Sequence, residues 1–440
     1  MPDLSFIGLL AIAVIAVGAP LLVALVESLI PGLRLPGVVV EIVAGVVVGP
    51  SVLGFVEADV PVQVLSVIGL AFLLFTVGLE LDVSALRGPL LRVVALAYVV
   101  SLALGTGVGL AATSVGWVDE PLLLAVALSA TSLGLVVPVL RDTGQVASPM
   151  GRLTVAAATV ADVAAILLLT LLFSEDSASV GARVVLLATF VGLVALVAAG
   201  LLATERWGSL TRAVQRLQDT TAEIRVRGAV ALLLGFVVLA ERFGLEAILG
   251  ALLAGAVVGV VDRDTSTHPH FRAKLDALGF GFVIPVFFVA SGIRLDVAGL
   301  VSDPGALART PLFLLALLVV RGLPAVHFRG RLTSRQTVAS GLLQATSLPF
   351  LVTASMIGVD LGVMTPVNGA ALVAAGVASV LVFPAVALAL LRTRQIAPGH
   401  DDENPGDALR APGAGEHPST APHTRDSVTR TGNRGLRASP

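Results

Sequence analysis

Apolar runs of roughly 20 residues recur along nearly the whole chain, separated by short polar stretches, and each is long enough to cross a bilayer as a helix. About thirteen can be drawn, near 6–28, 36–54, 62–80, 88–113, 120–140, 150–173, 181–203, 226–241, 245–261, 277–293, 308–328, 334–357 and 365–391. The pattern predicts an all-α polytopic membrane protein. The first run lacks a basic leader region and a clear small-residue cleavage site, so it reads as a retained helix rather than a signal peptide. After Arg394 the pattern stops. Residues 395–440 are rich in Pro, Gly, Asp and Arg with almost no large apolar side chain, and they read as a disordered cytoplasmic tail behind a membrane domain of residues 1–394.

Composition sharpens this picture. Of 440 residues, 56% are hydrophobic and 13% charged, with mean hydropathy +0.96. A soluble domain carries about a quarter charged residues, so the apolar excess is not a soluble core. A net charge of -2 gives no reason to expect nucleic acid, and the absence of cysteine removes disulfide and thiol chemistry. The sequence holds no HExxH, no nucleophile elbow, no P-loop and no histidine pair at ligand spacing, and no GxGxxG follows the apolar region. No enzyme and no cofactor is expected.

The loops between spans alternate in charge. One set carries Arg34, Arg87, Arg141, Arg152, Arg206, Arg212, Arg216, Arg225, Arg227, Arg263, Arg272, Lys274, Arg329, Arg331, Arg335, Arg392 and Arg394. The other carries Glu57, Asp59, Asp119, Glu120, Glu175, Asp176 and Asp360, with few basic residues. Basic loops stay in the cytoplasm, so the N-terminus is expected outside and the C-terminus inside the cell membrane.

The tetrapeptide ATSL occurs twice, at 130–133 and 345–348, each time in the middle of an apolar run and each time followed by proline, Pro138 and Pro349. Proline inside a helix removes a donor and clashes with the preceding turn. Irregular backbone at membrane depth survives only where protein buries it or a wet cavity bathes it. The two copies sit on the fifth and twelfth expected spans, which run in opposite directions. Paired broken helices in an inverted repeat, with half-helix ends facing an ion near the midplane, are therefore expected.

Ionisable groups inside spans are functional candidates, because burying charge in hydrocarbon is costly. Asp162 lies at the centre of its run, on the helix that follows the first break. A carboxylate there suits both proton exchange and ligation of a small cation, Na+ or K+. Arg321 lies toward the cytoplasmic end of its span. It either balances a helix C-terminal dipole or Asp162, or snorkels to the interface. Glu41 and Glu80, nearer span ends, are pathway or interfacial groups. Thr131, Ser132, Thr346 and Ser347 either lend oxygens to a cation or bond between helices, and Gln344 can do either. Gly45, Gly49, Gly78 and Gly134 read as close-packing positions.

These residues resemble a known family. VVVEIVAGVVVGPSVLG and IGLAFLLFTVGLELDVSALR are similar to the second- and third-span signatures of the monovalent cation:proton antiporter-2 family. ATSLGLVVPVLRDTG resembles its first broken helix, TVADVAAI its ion-binding helix, and PVFFVASGIRLDV the helix before its basic one. The matches run from about residue 36 to 357, membrane domain only. The resemblance implies a core domain with two crossed broken helices, here about 88–173 and 308–391. It implies a dimerisation scaffold from the remainder, elevator-type alternating access and a homodimer. It places Asp162 on the essential aspartate and Arg321 on the basic residue before the second break. The chain departs where relatives carry Asp at Ser132, and Asp, Asn or Gln at Ala161. It reads Leu348-Pro349-Phe350 where potassium-efflux relatives carry Gly-Glu-Phe.

One acid instead of two predicts electroneutral one-for-one exchange of Na+ or K+ for H+ at Asp162. Two other readings stay open: a membrane sensor or channel on the same fold, for want of the companion acids, and an organic-anion symporter, which would need cationic groups facing a wide cavity.

Overall fold

The computed structural model describes residues 36–81, 89–142, 144–173, 180–204, 223–262 and 270–392, with a few positions between 18 and 28. Most of the first expected span, the expected tail at 395–440, and Arg34, Arg87, Glu175, Asp176, Arg206, Arg212, Arg216, Arg263 and Arg394 lie outside the described residues.

Every later expected span coincides with a helical segment. In chain order these are α1 (Gly37–Val48), α2 (Val60–Leu79), α3 (Pro89–Ser114), α4 (Pro121–Ser129), α5 (Leu133–Asp142), α6 (Pro149–Phe173), α7 (Val180–Thr204), α8 (Ile224–Arg242) and α9 (Ala247–Val261). Then follow α10 (Phe271–Leu278), α11 (Ile284–Arg294), α12 (Val297–Ser302), α13 (Pro304–Leu317), α14 (Ser334–Gln344), α15 (Pro349–Asp360) and α16 (Pro366–Arg392). A π turn, Gly279–Val283, joins α10 to α11, and α13 continues through a second π turn, Leu318–Gly322, into a 3-10 turn, Leu323–Phe328. Among the described residues seven helices are long and apolar enough to cross a membrane singly, or eight if the bent pair α14–α15 is one span. The thirteen expected crossings exceed this by five: α1, α9 and the α4–α5 segment are apolar but shorter, α8 with its charged ends is not among the counted helices, and most of the first expected span lies outside the described residues.

Helix starts follow local chemistry. Asp59 accepts from the Val62 amide at 3.1 Å ahead of α2. Thr333 and Gln336 close a capping box ahead of α14. Proline opens α4, α13, α15 and α16, where its missing N–H leaves no bond unmade.

Packing divides these helices into two groups. In one, α1 packs on α11 and α2 on α9 and α11, with α8 against α9. A side chain at Gly45 would strike the Val289 carbonyl, and one at Gly292 the Ile42 carbonyl. Gly78 and Gly255 meet the opposite backbone in the same way between α2 and α9. Lipid gives helices no hydrophobic reason to associate, so close backbone approach at small residues supplies the dispersion contact instead. In the other group, α3 packs on α4 and α6, α14 on α6 and α16, and α16 on α13 and α15. The start of α4 lies beside the end of α15, where Val118 bridges Met364 and the Asp119 amide donates to the Val363 carbonyl at 2.9 Å. The two broken helices therefore run antiparallel, as the inverted repeat requires.

Candidate functional site

Both breaks fall on ATSL. The first opens at Ala130–Ser132, between α4 and α5, with Ala130 extended at φ -76, ψ 158. Pro138, expected as the breaker, lies inside α5, so the chain unwinds six residues ahead of it. The second opens at Ala345–Leu348, and there the proline acts as expected: Pro349 begins α15, whose axis bends 40° from α14. The breaks touch. The Ser132 amide donates to the Thr346 carbonyl at 3.0 Å, and the Thr131 hydroxyl donates to the Gln344 carbonyl at 2.8 Å. Each unwound strand thus supplies the partner that the other lost on leaving the helix, which membrane depth demands.

Asp162, on α6, is 6% exposed and its Oδ2 accepts from the Leu133 amide at 3.3 Å. Leu133 is the first residue of α5, so the carboxylate sits at the positive end of that half-helix. A cavity of about 280 Å³ reaches it from one face. The group that holds α4–α6 and α15 contributes Thr131, Ser132, Gly134, Asp162 and Pro349 to the wall, and the group of α1, α2 and α11 contributes apolar Leu73, Leu74 and Phe288. Glu80, Arg141 and Asp276 also line it. Gly134 is not a close-packing position, because a Cβ there would meet nothing within 4 Å; it borders open space.

Arg321 is 1% exposed and does not snorkel. The π turn carries it inward, and Gly322 lets this segment close on α14, where a Cβ on Gly341 would stand 2.7 Å from the Gly322 carbonyl oxygen. Its Nε donates to the Thr131 hydroxyl at 2.8 Å, and its terminal nitrogens donate to the Ser101 hydroxyl and the Ala157 carbonyl, each at 3.3 Å. Through Thr131 the charge reaches the Gln344 carbonyl, the last residue of α14. The guanidinium thus lies one hydroxyl away from the C-terminal carbonyl of α14, while the Asp162 carboxylate faces the N-terminus of α5.

Residues 17–392 match the family described as "Sodium/hydrogen exchanger, transmembrane". The chain belongs to this family. It is 33% identical over 371 residues to "Putative Na(+)/H(+) antiporter YjbQ" of Bacillus subtilis (strain 168), a match covering 79% of this chain and 58% of that protein. It is 30% identical over 287 residues to "Cation/H(+) antiporter 18" of Arabidopsis thaliana, covering 60% of this chain and 35% of that protein. The chain thus spans little more than half of the first relative and about a third of the second. A solved structure of the sodium proton antiporter MjNhaP1 from Methanocaldococcus jannaschii at pH 8 shares the fold, with TM-score 0.61 at 16% identity, over 88% of this chain and 98% of that one.

The remaining candidates of this exchanger-family chain fall in three places. Thr131 and Ser132 stand with Asp162 in the cavity wall. Gln344, Thr346 and Ser347 are fully buried at the second break but do not line that cavity. Glu80 stands in its wall, exposed, while Glu41 is 6% exposed on α1 and outside it. Sequence reasoning missed the hydroxyls that frame the breaks. Tyr98 bonds Ser129 at 3.1 Å at the end of α4. Gln344 donates to Ser340 at 3.1 Å, and Ser340 pairs with Thr154 of α6 at 2.7 Å. Tyr98 and Ser101, one turn apart near the middle of a largely apolar helix, were the available signal.

Proposed function

We propose that this protein exchanges a monovalent cation, Na+ or K+, for H+ across the cell membrane by alternating access. Asp162 is the shared site: it releases a proton to bind the cation on one face and takes a proton to release it on the other. The observation that carries this reading is Asp162 itself, a buried carboxylate at the end of a cavity, beside two hydroxyls and a half-helix end, with the Leu133 amide donating to Oδ2. A carboxylate has more lone pairs than the backbone amides of this break occupy, and those that face the cavity suit a hard cation. Thr131 and Ser132 are the neighbouring oxygens that complete the shell, and Thr346, Ser347 and Gln344 hold the crossing.

One carboxylate per transport cycle makes the exchange electroneutral and one for one. The helices of about 88–173 and 308–391 move as a core against the remainder, which also forms a homodimer. Asp162 stands at the seam between the two groups, where such sliding would carry it from one face to the other. Glu80, Arg141 and Asp276 mark the cytoplasmic face, with the N-terminus outside and the C-terminus inside. An organic-anion substrate is disfavoured because Arg321 does not line the cavity and is committed to Thr131, Ser101 and Ala157, while the arginine that does line it, Arg141, shares the wall with the carboxylates Glu80, Asp276 and Asp162. Proteoliposomes with an internal pH dye and an imposed proton gradient test the reading. Sodium, potassium or lithium added in turn should dissipate the gradient in wild type and not in Asp162→Asn. Absence of any cation response in wild type across pH would overturn it.

A further inference from the structure

The helix after each broken helix reaches back to its break with one side chain. At the first break this is Asp162 of α6, which accepts the Leu133 amide across 29 residues of sequence. At the second it is Ser379 of α16, which accepts the Ser347 amide at 3.2 Å across 32 residues. The two contacts are alike in placement but not in register, since Asp162 holds the fourth residue of its ATSL and Ser379 the third. They differ also in chemistry: on the antiport reading, on which this inference rests, Asp162 titrates and binds charge, whereas a serine hydroxyl does neither.

Ser379 holds the backbone of Ser347 on both sides. Besides accepting the Ser347 amide, its hydroxyl stands 3.1 Å from the Ser347 carbonyl and 2.7 Å from the Gly376 carbonyl, and its proton serves these acceptors. Gly376 makes room for the grip: a Cβ there would lie 3.1 Å from the Ser347 carbonyl oxygen and 3.0 Å from Leu351. Ser379 and Ser347 are both fully buried, so water does not compete. The next carbonyl back, Thr346, accepts the Ser132 amide at 3.0 Å, and Ser132 stands in the cavity wall with Asp162. A path of hydrogen bonds and one peptide link thus joins Ser379 to the wall of the ion site.

We propose that Ser379, seated by Gly376, is a positioning residue that fixes the second break in one geometry whatever Asp162 holds, so that only the first break answers proton and cation. The consequence is a site with one rigid wall and one responsive wall. The Ser132 edge of the cavity is anchored through Thr346, while the Leu133 amide gains or loses its charged acceptor with the load.

Hydrogen–deuterium exchange on the full chain in lipid nanodiscs reads this directly, without transport. After correction for intrinsic rates, moving wild type from pH 6 to pH 8 should change protection at 130–135 and leave 345–349 unchanged. Ser379→Ala should raise exchange at 345–349 by about fivefold, the loss of one ordinary hydrogen bond, and Ser379→Thr should restore it. A pH response at 345–349 equal to that at 130–135 overturns the proposal, as does unchanged exchange there in Ser379→Ala. A transport arm rests on the antiport reading. There Ser379→Ala raises the cation KM several-fold with kcat within about twofold, while truncation of the buried neighbour in Val380→Ala leaves KM unchanged. An equal KM shift in Val380→Ala would reduce Ser379 to general packing. Failure of antiport itself shows separately, as no cation-dependent flux in wild type, and the exchange data still decide.

Discussion

Replacing Asp162 by Asn keeps the shape and one acceptor oxygen, so the Leu133 amide bond can persist while the charge and the exchangeable proton are lost. The fold should survive. At most one hydrogen bond changes, about 1 kcal/mol, which is a shift of a few degrees at most in a large membrane protein. The ion site should not survive. A univalent cation about 2.5 Å from a carboxylate gains about 7 kcal/mol at an effective dielectric of about 20. Dehydrating the ion and ordering its ligands returns most of that. If only about 2 kcal/mol of it remains as net affinity, its loss is about thirtyfold in cation binding. Coupling fails outright, because a carboxamide cannot carry the proton back. Gradient dissipation in proteoliposomes should fall to about a hundredth of wild type for every cation, with the melting midpoint in detergent nearly unchanged. More than a tenth of wild-type flux in a folded Asp162→Asn protein would refute the single-carboxylate mechanism.

Arg321→Lys should lose the contacts to Ser101 and Ala157, since one ammonium cannot span the guanidinium's three partners, lowering stability by about 1–3 kcal/mol in a thermal melt. A neutral outcome would refute the assigned network. Gly45→Ala should abolish folded yield, because its methyl meets the Val289 carbonyl, whereas Gly134→Ala should fold normally and slow exchange; size-exclusion profiles of both decide. Glu80→Gln should raise the cation KM about two- to fivefold at low ionic strength and much less in high salt, as a cavity-wall charge steers rather than binds. Glu41→Gln, outside the cavity, should leave flux within about twofold in the same assay.

Sequence by itself determined the elements and singled out the buried acid of the candidate site. Twenty-residue apolar runs admit only helices in lipid, so every described span appears where hydropathy put it. A carboxylate at mid-span is too costly to be incidental, which made Asp162 visible before any fold was known. The repeated ATSL located both breaks, because two hydroxyls beside proline suit an unwound strand. What unwinds the chain at the first break was not legible. Pro138 stays helical, and the partner that stabilises the unwound residues, the Thr346 carbonyl, lies in the other break, far along the chain. The role of Arg321 was equally hidden. Snorkelling and a buried electrostatic position are both open to a long side chain near a helix end, and only the π turn and the Gly322–Gly341 approach exclude the first. Ser379 is one hydroxyl in an apolar helix, unremarked until tertiary packing sets it against the second break. Span and charge are properties of local composition; which half-helix end meets which side chain is a matter of distance between segments, and folding alone sets it.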